Sequence, residues 1–210
     1  MKTISLVFFM FSMGCLCAVA SAQSRLAVGV VGGESVNSIR NGEILSHWGN
    51  GWTIDGSLSY HVMATMDVDL NLSYDQYPYK GGNFEITLPV SASATFSGKP
   101  STAEEASLGV RFTAPTPFAK PFVVVKAGLR NLSIGRIDIA ESTIGFPQDV
   151  SHQTYSGTGA SSVDFFAAVG FGFLVPINSM FSVSIEGRFS RVFLPNETYV
   201  PLVAGAQLNL

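Results

Sequence analysis

The sequence predicts an all-β fold, an eight-stranded antiparallel up-and-down β-barrel that crosses a membrane. Three observations carry that expectation. Apolar and polar residues alternate through most of the chain after residue 22, the period-2 spacing that sends successive side chains to opposite faces of a strand. Charged residues are 13% of the chain, low against about 25% in an ordinary soluble protein. Yet no stretch after residue 22 is apolar and uncharged for the roughly 20 residues that a membrane helix needs. A membrane barrel produces this combination, because only every second strand residue meets lipid.

Residues 1–22 read as a cleaved secretory signal peptide. Lys2 is followed by the apolar run Ile4–Phe11, and Ala20-Ser21-Ala22 supplies small residues ahead of Gln23. Acylation at Cys15, which follows Gly14, is the alternative, but Ser12 and Met13 fit it poorly. Both cysteines, Cys15 and Cys17, fall in this segment. The remainder, 23–210, is one domain without a thiol, which excludes a disulfide scaffold, a thiolate metal site and a cysteine nucleophile. Without Lys2 it carries 11 basic against 15 acidic residues, so it has no basic footprint for nucleic acid.

The first strand is predicted from Arg25 to about Glu34, with Leu26, Val28 and Val30 alternating against Ala27, Gly29 and Val31. The second sets Trp52, Ile54, Gly56, Leu58, Tyr60 and Val62 against Thr53, Asp55, Ser57, Ser59 and His61; the third sets Val68, Leu70, Leu72 and Tyr74 against Asp67, Asp69, Asn71, Ser73 and Asp75. Trp52, Tyr60 and Tyr74 lie near the ends of the apolar face, where membrane–water girdles are built. The fourth and fifth strands flank the proline-rich turn Ala114–Phe118, with Leu108, Val110 and Phe112 before it and Val123, Val125 and Ala127 after it. The sixth and seventh flank Pro176–Ser179, Phe165 to Val175 alternating before it and Phe181 to Phe189 after it. The eighth runs from Tyr199 and keeps its alternation to Leu210. It is expected to pair with Arg25–Glu34, because a barrel in lipid leaves no open edge.

Short connections at 63–66, 114–119 and 176–179 alternate with long ones, the arrangement of periplasmic turns and outer loops. Segment 83–97 alternates strongly, though Pro89 argues against a central strand. It reads either as part of a hairpin projecting above the membrane or, together with 133–140, as an addition that would give ten strands. Eight is preferred, since ten needs an almost turnless reversal at Asn131-Leu132. A soluble lipocalin-like barrel is the rival fold.

Two stretches resemble the small outer-membrane β-barrel family typified by the OmpA transmembrane domain. Lys120-Pro121-Phe122-Val123-Val124-Val125 is similar to the Lys-Pro-aromatic strand opening common there. Gly205, Leu208 and Leu210 are similar to the C-terminal signal read by the barrel assembly machinery, with Val203 where a polar residue is preferred and Leu210 where an aromatic is usual. The resemblance spans 23–210 as a pattern. It implies location in the cell outer membrane, with membrane lipid, lipopolysaccharide and the assembly machinery as partners.

With the polar face turned inward, the lumen collects Asp55, Asp69, Asp75, Arg111, Lys126, Arg130, Glu186 and Arg188, four of each sign, with His61 neutral. Counting from the turns makes Asp69 and Arg111 low neighbours and puts Lys126 and Glu186 near mid-height. Buried opposite charges must pair, since an unpaired one costs several kcal/mol. An eight-stranded barrel is about filled by its own side chains, so the expectation is a salt-bridge plug, with a small pore or gated channel as the alternative. Ser59 and His61 share a face and could form a nucleophile–base pair for lipid modification, but they sit low in the lumen, so no enzyme activity is expected. His47, His61 and His152 have no metal-ligand spacing, and no cofactor is expected. The long loops 35–51, 78–103 and 131–162 could serve a surface ligand through Tyr77, Tyr79, Phe84 and Tyr155, or those rings could pack the loops together.

Overall fold

A computed structural model of the chain describes residues 25–37, 48–86, 91–144, 150–156, 159–193 and 197–210. The proposed signal segment lies outside them. Twelve strands are present among the described residues: β1 Leu26–Asn37, β2 Gly51–Met63, β3 Met66–Tyr77, β4 Gly82–Ile86, β5 Ser91–Gly98, β6 Ser101–Thr113, β7 Lys120–Ser133, β8 Ile137–Ile144, β9 Val150–Ser156, β10 Ser161–Pro176, β11 Phe181–Val192 and β12 Thr198–Asn209. Eight of them close an antiparallel barrel in the order β1-β12-β11-β10-β7-β6-β3-β2. The closing seam pairs Val28 with Leu208 and Glu34 with Leu202, and continues to Asn37 opposite Tyr199. At that seam a Cβ on Gly205 would run into the Val30 carbonyl oxygen, so the close approach of the two backbones requires glycine there.

The three short connections share one end of the barrel with Arg25 and Leu210, hereafter the turn end; the long connections share the loop end. The alternation in the sequence decides which face points where. On β2, Trp52, Ile54 and Tyr60 are close to half exposed, whereas Thr53, Asp55 and Ser59 are buried. Leu108, Val125, Phe171, Phe173, Ile185 and Leu202 continue the apolar exterior. Trp52 and Tyr74 are diagonal neighbours on the β2–β3 ladder, ring centroids 5.5 Å apart, at its loop-end margin. Eight residues separate Trp52 from Tyr60, which at about 3.3 Å per residue and about 40° of tilt is roughly 20 Å. That height is close to the apolar band of a membrane barrel, about 25 Å.

The ten-strand alternative is overturned. Segment 83–97 is not one strand: β4 and β5 pair antiparallel, and Pro89 falls in the sequence between them, outside the described residues. Segment 133–140 divides between the end of β7 and the start of β8. The β4–β5 and β8–β9 hairpins join through β5 and β8 into a separate four-stranded sheet, β4-β5-β8-β9, at the loop end. The barrel strands also outrun their predicted limits: β1 continues to Asn37, β6 begins at Ser101 and β7 reaches Ser133, shortening all three expected loops.

Candidate functional site

Every second residue of the barrel strands points into the lumen, and the charged ones lie there in layers. Nearest the turn end, His61 Nδ1 pairs with Asp67 Oδ1 at 2.5 Å, across the register pair that links β2 and β3. Above them Arg111 Nη2 lies 2.9 Å from Asp69 Oδ2 and donates through Nη1 to Gln207 Oε1 at 3.0 Å. Its guanidinium rests 5.3 Å from the centre of the Phe122 ring.

At mid-height four charges converge. Asp55 Oδ2 is 3.0 Å from Arg188 Nη2 and 3.4 Å from Lys126 Nζ, and Arg188 Nε donates to Glu186 Oε1 at 2.8 Å. Lys126, Asp55, Glu186 and Arg188 are all buried. Two cations thus face two carboxylates in a site cut off from solvent, the condition under which opposite charges hold together.

The uppermost layer is built on Arg130, which is 2% exposed. Its guanidinium carbon lies 4.1 Å from the centre of the Tyr199 ring and 5.9 Å from that of Tyr77. Arg130 Nη2 donates to the Tyr77 hydroxyl at 3.2 Å, and Nε is 3.4 Å from Glu105 Oε1. Tyr199 donates to that carboxylate at 2.5 Å and Ser73 to its other oxygen at 3.2 Å. Asp75 is buried beside them, bonded to Thr53 across the ladder. Two apolar clusters close this end, Trp48, Tyr77, Ala103 and Leu132 on one side and Phe166, Ala168, Val192 and Tyr199 on the other.

Glu197 stands just before β12, outside the spanning strands, and is also buried. Burial pushes its carboxyl above the ordinary value; Arg130 opposes the shift and Asp164 adds to it.

A cavity of about 20 Å³ lies among Asp55, Ser57, Asn71, Arg111 and Arg188. A much larger depression, about 1080 Å³, belongs to the exterior: Phe112, Phe171, Ile185 and Leu202 that line it are each more than half exposed.

All the charged residues collected from the sequence therefore face the lumen, and Asp69 does meet Arg111. Sequence reasoning passed over Glu105, Tyr77, Tyr199 and Gln207 as lumen groups. Glu105 has the parity of Ser107 and Arg111 and needed only a longer β6; the others are uncharged, and a search for charges skips them. Of the two readings for the loop rings, Tyr77 takes the packing one: it is buried with Trp48, Ala103 and Leu132 and bonds Ser35 at 3.0 Å inside the barrel mouth. Tyr79 packs edge-on against Trp48, ring centres 5.5 Å apart. Ser59 and His61 are not joined, because Ser59 Oγ has no hydrogen-bond partner and the Nδ1 of His61 is engaged by Asp67. His47 and the side chains of Phe84, His152 and Tyr155 lie outside the described residues. Among the described residues no group of three or more His, Cys, Asp or Glu could hold a metal ion.

A closed eight-stranded antiparallel barrel with an apolar exterior and ion pairs inside is the architecture of the small outer-membrane β-barrels. The chain is similar to the crystal structure of Neisserial surface protein A (NspA), with TM-score 0.55 and 12% identity over 88% of this chain and 97% of that one. It also matches the N-terminal β-barrel domain of Pseudomonas aeruginosa OprF, with TM-score 0.46 and 16% identity over 90% and 100% of the two chains. A third match is the outer membrane protease OmpT from Escherichia coli, with TM-score 0.46 and 12% identity over 89% and 97%. At these identities the likeness is one of fold. No protein-family model matches the chain, and no curated protein matches it in sequence.

Proposed function

We propose that the chain is an integral protein of the cell outer membrane, exported by a signal peptide over 1–22. On this reading residues 23–210 form a closed anchor whose work is structural or surface-interacting. The observation that carries it is the lumen: four layers of paired charge cross it beneath two apolar clusters, and the cavity among Asp55, Asn71, Arg111 and Arg188 is about 20 Å³, room for a water but not for a solute. The turn end faces the periplasm and the loop end faces outward, so the four-stranded sheet stands where an external ligand would meet the protein. Lipid and lipopolysaccharide surround the exterior, and Gly205, Leu208 and Leu210 serve the barrel assembly machinery as its recognition signal. Conductance tests the closed anchor: purified protein in planar bilayers is expected to give no stable unit steps. Reproducible ion-selective steps would establish the pore reading instead.

A further inference from the structure

Among the described residues, the charges of the barrel strands that face outward are Glu34 on β1, Glu104 on β6 and Arg191 on β11. Glu104 stands across the barrel, whereas Glu34 and Arg191 bracket a single strand, β12. The wall between those two is indented. Gly32, Ala204 and Gly187 share the exterior depression with Leu202 and Ile185. Gly32 and Ala204 are register partners, and so are Ala204 and Ile185.

Heights on this wall follow from the register. Partners followed once round the eight strands from Phe165 end at Val175, ten residues nearer the turn end. Each strand crossed therefore lowers the level by slightly more than one residue. The line from Gly32 through Ala204 reaches Ile185 about 2.5 residues lower, and Gly187 lies two residues back up. Gly32 and Gly187 thus flank Ala204 at nearly one height. By the same count Arg191 stands above Glu34 by about 1.5 residues, roughly 4 Å, within reach of its long side chain.

This face is self-complementary. A two-fold axis along the membrane normal, passing over β12, sets β12 against β12 and β11 of each copy against β1 of the other. Gly187 then meets Gly32 of the second copy, and Arg191 meets Glu34 of the second copy. Apolar side chains gain little by exchanging lipid for another barrel, so association in a bilayer needs close backbone approach and polar pairs. The glycines supply the first and the charges the second. Glu34 Oε1 accepts from Asn50 Nδ2 at 2.9 Å, and a carboxylate has lone pairs for a further donor. Arginine carries five N–H groups, enough for neighbours on both sides of an interface. We infer that the β11–β12–β1 face is a homodimer interface within the membrane, closed by reciprocal Arg191–Glu34 pairs.

The dimer presupposes the integral membrane barrel proposed above, so carbonate extraction is measured beside it. In a full-length chain carrying Cys15→Ser and Cys17→Ser, Ala204→Cys on the axis introduces the sole thiol. In dilute lipid vesicles, mild oxidation is expected to link most of this variant into dimers. Leu108→Cys, on the opposite face, should stay monomeric. Glu34→Arg or Arg191→Glu should each lower the Ala204→Cys link about ten-fold through like-charge contact, and the two together should restore it. Heat-modifiable migration checks that each variant is folded. A folded, carbonate-resistant protein without the Ala204→Cys link assigns this face to lipid and overturns the dimer, as does equal linking through Leu108→Cys. Folded single-charge variants that link normally, or a double variant that fails to recover, overturn the Arg191–Glu34 contact. Release by carbonate overturns the membrane reading and the dimer with it.

Discussion

Arg188 Nη2 stands 3.0 Å from Asp55 Oδ2, on the carboxylate oxygen that Lys126 Nζ also approaches. One buried anion therefore neutralises parts of two cations, and Glu186 pairs directly with Arg188. Removing Asp55 leaves Lys126 without its ion-pair partner in a site water barely reaches. Asp55→Ala is expected to destabilise the barrel by about 3–5 kcal/mol. Urea titration in phospholipid vesicles, followed by Trp fluorescence and heat-modifiable migration, measures it. Asp55→Asn keeps the shape and should lose a comparable amount; wild-type stability in Asp55→Asn would show that charge is not what holds the layer.

Arg130 makes a separate prediction through its shape rather than its charge. It lies over Tyr199 and beside Tyr77 while bonding the Tyr77 hydroxyl and approaching Glu105. Lysine keeps the charge but not the plane or the fork. Arg130→Lys is expected to cost about 2 kcal/mol, the scale of a desolvated cation–π contact. The same urea titration reads it, and an unchanged midpoint would assign the layer to charge alone.

These two layers also mark what can be read from a sequence. Asp55, Lys126, Arg188 and Arg130 were legible because period-2 alternation places them opposite the lipid-facing residues, and a membrane barrel has few inward charges to choose among. Glu105 follows the same parity but lay beyond the predicted reach of its strand, and Tyr199, the first residue of the predicted eighth strand, carries no charge to single it out. The loop-end sheet was less legible for another reason. Its central pairing joins β5 to β8, more than thirty residues apart, as in Ser91 opposite Ile144. No local alternation encodes so remote a partner. Which charges pair across the lumen depends on barrel curvature, as in the β2–β7–β11 convergence on Asp55, and only the closed structure shows it.

Gly205 invites a test that separates packing from recognition. A Cβ at this position would collide with the backbone of Val30 and Val31, on the strand that closes the barrel. Gly205→Ala is expected to destabilise by about 1–3 kcal/mol through overpacking, and to lower folding yield in purified detergent or lipid. A defect seen only in cells would assign Gly205 to assembly-signal recognition instead. Leu210→Phe, which restores the aromatic usual at that signal, should raise assembly in cells and leave refolding of the purified chain unchanged.

Glu197 gives a pH dependence whose sign follows from burial. Its carboxyl titrates above its ordinary 4.5, so the folded barrel holds this proton more tightly than the unfolded chain does. The contribution of this group is therefore most favourable below 4.5, declines as pH rises through 4.5 toward the folded value, and is level above it. Glutamine cannot ionise and escapes the decline. Glu197→Gln and the wild type should unfold at similar urea concentrations near about pH 4, and the variant should be the more resistant near about pH 8. Arg130 attracts the ionised form and Asp164 repels it, so the outcome depends on desolvation exceeding the Arg130 attraction. A wild type more resistant than the variant at the higher pH would mean that Arg130 and Glu197 act as a stabilising ion pair, and that the acid at this position holds the β11–β12 connection by charge.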